Sequence, residues 1–163
     1  MSEMTPRIYF DEIVLLNFKE AQENRYCLHC AMNASVSAFH MAEAFFGYLW
    51  KKRESKGIKE DASKYRKDLL GYHEDLRERC TGFTEVQQLA TAFKHVYPTK
   101  PWCEIDSAGQ ITISIGDEDG GEGAEESESW LSVVKNGVAT INVHSVLHEV
   151  VHFWKNELEK RGM

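Results

Sequence analysis

The chain has 163 residues, 42% hydrophobic and 28% charged, with a formal net charge of −7, the length and composition of one globular unit with a sizeable core. The acidic balance weighs against a dedicated DNA binder, and no apolar run approaches the length of a membrane span. MSEMTPRIYF has no apolar stretch behind a basic start, so no signal peptide is expected; Cys27, Cys30, Cys80 and Cys103 then read as reduced thiols of a cytoplasmic protein.

Helical periodicity dominates the first half. Phe18, Ala21, Leu28, Met32, Ser35, Phe39, Ala42, Phe46 and Leu49 recur at spacings of three or four, and Cys27, Ala31, Ala34, Ala38, Phe45 and Tyr48 form an adjacent line. Together they predict one long helix with a face wide enough for the centre of a bundle. KKRESKGIKEDASKYRK, residues 51–67, holds eight bases against three acids and reads as a solvated connection. A second helix is expected from Asp61 to Cys80 through Tyr65, Leu69, Tyr72 and Leu76, with Thr81-Gly82 as its stop. Thr84 and Gln87 have capping-box spacing and predict the start of a third helix through Val86, Leu89, Ala90 and Phe93, closed by Pro98 and Pro101.

Alternation then replaces the helical period. WCEID and QITISIG flank a predicted turn at Ser107-Ala108-Gly109, and WLSVVKNGVATINV predicts a hairpin about Asn136-Gly137. Between them GDEDGGEGAEESES, residues 116–129, carries seven acids and no base and reads as a solvated loop; its Asp117, Asp119 and Glu128 imitate calcium-loop spacing, but Glu122 stands where that loop needs glycine. Ser145 to Lys160 predicts a final helix. The expected fold is α+β in a single domain over residues 1–163: a helical bundle over 11–97, a small antiparallel sheet over 102–143 and a C-terminal helix over 145–160.

Three groups of residues carry candidate chemistry. HEVVH, His148 to His152, fits the H-E-x-x-H zinc-hydrolase pattern, with His148 and His152 as ligands and Glu149 as general base. On a helix wheel both histidines fall roughly 120° from the centre of the apolar face, on a line with Lys155 and Glu159. A third ligand has to come from upstream, from His40, Glu43 or His95, so no metal or other cofactor is expected, with zinc as the alternative. The second group is a polar line on the long helix, His29, Asn33, His40 and Glu43, which with Lys94 and His95 could edge a ligand pocket or simply be satisfied core polarity. The third is CLHC, Cys27 to Cys30, a single C-x-x-C placed within a helix and therefore read as apolar packing. No P-loop, dinucleotide glycine pattern or nucleophile elbow occurs.

AMNASVSAFHMAEAFFGYLW, then QQLATAFKHV before a proline, then VLHEVVHFWKNEL, resembles uncharacterised bacterial proteins with a HEPN-like helical bundle, over nearly the whole chain. The resemblance implies a bacterial protein linked to toxin or phage-defence systems. HEPN nucleases place an arginine four to six residues before a histidine; ahead of His95 stand Leu89, Ala90 and Thr91, and Arg25, with three residues between it and His29, is on another helix. The resemblance therefore implies a non-catalytic binding protein for an unidentified protein or small ligand, with a homodimer suited to its aromatic-rich bundle. Zinc hydrolysis through HEVVH, and RNA cleavage through His95, are the alternatives; the net charge does not favour RNA.

Overall fold

The computed structural model describes residues 4–57, 61–94, 105–115, 126–135 and 138–163. Helix α1 (Pro6–Tyr9) starts on Thr5, whose hydroxyl accepts the Ile8 N–H at 3.2 Å, with Pro6 in the first turn where its missing N–H costs nothing. It runs unbroken through a π-helical stretch (Phe10–Val14) into α2 (Leu15–Glu23). Both ends of the wide turn, Phe10 and Val14, are buried, and Ala21 continues that face.

The single long helix expected from Phe18 to Leu49 is two helices. The chain turns between Asn24 and Cys27, and α3 (Leu28–Glu54) begins with Cys27 as its cap. Asn24 explains the break: its side-chain amide donates to the Glu20 carbonyl at 2.9 Å, and its own carbonyl accepts the Cys27 N–H at 2.9 Å. The exposed residues Gln22 to Tyr26 bury nothing that would favour a continued helix. α2 therefore folds back on α3 as an αα-hairpin.

α3 touches every other helix. Its small residues Ala31, Ala34, Ala38 and Ala42 are buried and allow close approach, while Met41 and Phe45 fill the space between helices. Lys51, Lys52 and Arg53 sit in its last turn, where cations suit the helix dipole, and Gly57 takes a φ of 87° beyond it. α4 (Ala62–Arg79) opens on Asp61, which accepts the Lys64 N–H at 2.8 Å. α5 (Gly82–Lys94) begins at Gly82, so the residue expected to stop the second helix starts the third, and Thr84 lies inside it. α6 (Val143–Lys160) starts two residues before Ser145 because Asn142 caps it, accepting from His144 and Ser145.

The core lies where α3, α5, α6 and the N-terminal helix meet. Trp154 is fully buried, leans on Phe45 with ring centroids 5.7 Å apart and donates its indole N–H to the Ala38 carbonyl at 3.1 Å. Phe10, Phe83, Leu76, Leu89, Leu147 and Leu158 complete this cluster, each contributing about 1.5–3 kcal/mol by leaving water. The described residues are mainly helical and form a bundle.

The strand residues pair through the backbone in the order β1 (Ile105–Ile115), β2 (Glu126–Lys135), β3 (Val138–Asn142), each pair antiparallel. The turn expected at Ser107-Ala108-Gly109 does not form. These residues face Val134, Val133 and Ser132, and a register shift between Ile105 and Ser107 takes up the irregularity. Ladder hydrogen bonds outweigh local turn preference there. Glu126 to Ser129, expected in the acidic loop, belong to β2 and face Ile115 to Thr112. Lys135 stands opposite Val138; Asn136-Gly137 between them, the rest of the acidic loop, WCE and both prolines lie outside the described residues.

Candidate functional site

Glu149 is already occupied. Its Oε1 accepts the Thr81 hydroxyl at 2.6 Å and the Gly82 N–H at 2.9 Å, with the Cys80 thiol at 3.8 Å. It is the N-terminal cap of α5, delivered from α6 across the bundle. The Thr81 hydroxyl first, and the Gly82 N–H after desolvation is offset, hold its carboxyl below the usual carboxylate range. These bonds give Glu149 a structural part through Oε1, in addition to its place in HEVVH. Gly82 is required beside it: a Cβ there would stand 3.1 Å from Glu149 Oε2 and 3.2 Å from Val150 Cγ2.

His148 and His152 are exposed, their rings 6.0 Å apart. His148 lies against Phe18 at 6.2 Å, and His152 Nδ1 is 3.2 Å from the Asn156 amide. His40 and Glu43, named as upstream ligands, pair with each other instead, Nδ1 to Oε2 at 3.2 Å. Among the described residues, the group of three metal-capable side chains that converges, ligand atoms within 4.8 Å of one another, is Cys27, His29 and Cys30.

The polar line of α3 has a definite setting. Asn33 and His40 line an open groove of about 640 Å³, together with Met32, Val36 and Ser37 of the same helix and Tyr9, Ile13 and Asn17 of the N-terminal helix. Tyr9, Ile13 and Asn17 follow at intervals of four through the π-helical stretch, on a line beside buried Phe10 and Val14. The groove's lining is mainly apolar, with Ile13, Met32 and Val36 beside amides, hydroxyls and one imidazole. Burial, with the nearby Glu43 charge, pushes the Tyr9 phenol above its ordinary pKa, so its hydroxyl stays a donor. His29 stands outside the groove and holds the Asn33 amide at 3.3 Å. Lys94 ends α5, and the placement of its side chain and of His95 lies outside the described residues.

CLHC straddles a helix start, with Leu28 to Cys30 in the first turn of α3. Cys27 is the cap of α3, and its Sγ accepts the Cys30 N–H at 3.3 Å. The signal that could have placed it was Asn24, a helix-ending residue three positions upstream. His73 carries no motif in the sequence, yet it is buried between Phe39 at 5.5 Å and Phe83 at 5.8 Å. Burial holds its imidazole below the ordinary pKa, so it is a neutral ring in an aromatic cage.

No protein-family model, curated protein or solved structure matches the chain. Among the described residues no helix is long and apolar enough to cross a membrane.

Proposed function

We propose that this is a non-catalytic, HEPN-like binding protein whose recognition site is the groove between the N-terminal helix and α3. The observation that supports this reading is the convergence of Asn33 and His40 with Tyr9, Ile13 and Asn17 in a mainly apolar lining. A volume of about 640 Å³ is of the size that small ligands and short peptide segments occupy. Amide and hydroxyl edges with little formal charge suit a neutral amide-bearing ligand, such as an extended peptide segment with one apolar side chain. In this reading β1 to β3 complete an α+β HEPN-like fold. The bacterial source, the toxin or phage-defence association and a homodimer are further parts of the proposal carried by the resemblance. The position of Leu89, Ala90 and Thr91 ahead of His95 leaves the ribonuclease without its arginine.

The test is nuclear magnetic resonance of the labelled full chain against a set of small N-methylamide and imidazole fragments. Shifts are expected to cluster on Tyr9, Ile13, Asn17, Asn33, Val36 and His40. Val36→Trp, which fills the groove, is expected to abolish them with the helical signal intact. Shifts centred elsewhere, or none at millimolar fragment, would overturn the assignment.

A further inference from the structure

The cap of α3 carries chemistry that a packing role does not use. Cys27 takes an extended backbone conformation, φ −80° and ψ 102°, and points its sulfur back over the first turn of the helix, where the Cys30 N–H reaches it at 3.3 Å. N–H groups of a first turn have no partner within the helix, and they carry the positive end of its dipole, a setting that favours thiolate over thiol. Cys30, one turn on, is 5% exposed while Cys27 is half-buried. The two sulfurs lie within 4.8 Å of each other, so turning the side chains toward one another is the movement a bond between them needs. An open depression formed by Gln22 to Tyr26 adjoins Cys27 and gives an incoming molecule access to its sulfur.

We infer that Cys27 and Cys30 are a reversible dithiol–disulfide pair, with Cys27 the attacking sulfur and Cys30 the resolving one. The oxidant is a disulfide of low molecular weight, R–S–S–R. The Cys27 thiolate attacks one of its sulfurs, forming the mixed disulfide and releasing R–S⁻. Cys30 then loses its proton and attacks Cys27 Sγ, forming the intramolecular disulfide and releasing the second R–S⁻. Two protein thiols lose two electrons, and one external disulfide becomes two thiols. The two sulfurs are unequal in the direction this order needs. The side-chain bond with the Cys30 thiol, and then the Cys30 N–H, hold the Cys27 thiol below its ordinary pKa, whereas that side-chain bond and burial push Cys30 up to about 11. His29, the third member of the group, is exposed and its Nε2 is 3.3 Å from the Asn33 amide, which leaves a two-sulfur exchange better served than a metal cage.

The experiment equilibrates the reduced full chain with mixtures of oxidised and reduced glutathione, quenches by alkylation and maps the peptides by mass. The Cys27–Cys30 disulfide, two hydrogens lighter, is expected to appear before any modification of Cys80, with Cys27 reacting at pH 7 at least about tenfold faster than Cys80. Cys30→Ser is expected to trap glutathione on Cys27, and Cys27→Ser to leave Cys30 unmodified over the same time; circular dichroism checks both folds, and the wild-type map decides alone if either unfolds. Equal alkylation of Cys27 and Cys30 at every ratio overturns the inference. So does pairing of either sulfur with Cys103, or one equivalent of added zinc bound tightly enough to shield both thiols, which would make this a metal site.

Discussion

Glu149 and Gly82 stand 67 positions apart in the chain and are joined by a hydrogen bond of 2.9 Å from the Gly82 N–H to the Glu149 carboxylate, which ties the start of α5 to the middle of α6. Glu149→Ala removes this cap and that of the Thr81 hydroxyl, and is expected to cost about 1 kcal/mol in urea unfolding. Glu149 has a folded pKa below its unfolded value. Its contribution is therefore full above the unfolded carboxylate pKa of about 4.3 and fades as pH falls through the lower folded value. The gap between wild type and Glu149→Gln should narrow on acidification in that window; a gap constant down to pH 3 would count against the cap.

Gly82→Ala tests the same junction from the other side. The added Cβ has to displace the Glu149 carboxylate and Val150, so a substitution that ordinarily favours a helix should here lower stability by about 1 kcal/mol. Combined with Glu149→Ala, part of that cost should be recovered, because the atom in the way is gone. Thermal unfolding of the double-mutant cycle measures it.

Arg79 and Glu157 tie α4 to α6, at 2.6 Å. Glu157 is 3% exposed, and Lys160 reaches it only from solvent, at 3.3 Å. Burial raises its pKa, but the bonds and charges of Arg79 and Lys160 outweigh this and hold it below the ordinary range. Arg79→Ala leaves the carboxylate poorly compensated and is expected to cost about 2 kcal/mol, below the figure for a fully buried pair because Arg79 is partly exposed. The sign is that of a depressed carboxylate: the stabilisation is present above about pH 4.3 and lost as pH falls through the folded value. Arg79→Ala should therefore be most damaging near neutrality and least at pH 3, read from denaturant midpoints.

Trp154→Phe keeps most of the apolar volume but removes the indole N–H that satisfies the Ala38 carbonyl. The lost hydrogen bond and the smaller ring together predict a loss of about 2 kcal/mol. Trp154→Ala, which also empties the space against Phe45, should cost about 3–5 kcal/mol and leave little folded protein at 37 °C.

For HEVVH the prediction is chemical. His148→Ala with His152→Ala should leave both the zinc content of untagged protein and its melting temperature unchanged within about 1 °C, since both rings are exposed. Zinc at one equivalent in wild type, lost in this double variant, would restore the hydrolase reading.

The apolar periods of Ala31 to Phe45, Tyr65 to Leu76 and Leu147 to Leu158 mark α3, α4 and α6 in the sequence itself, because burying one face of a helix demands that spacing and little else does. Helix ends are less legible. Asn24 breaks a helix whose apolar line continues across it, and Gly82 opens a helix where a stop is expected, since the group that caps it comes from α6. Short motifs are the least legible of all. HEVVH spells a zinc site in one dimension and does not show that Thr81 and Gly82 bond one oxygen of its glutamate; CLHC spells packing, which buried Cys30 keeps, and does not show that Cys27 caps a helix. By itself the sequence determined that α3 to α6 exist and which of their faces are buried, because hydrophobic burial is a sum over residues close in the chain. Only the tertiary structure decided what surrounds Glu149 and what faces Asn33 and His40 across the groove, because partners on other elements are set by distances between helices, on which local periodicity carries no information.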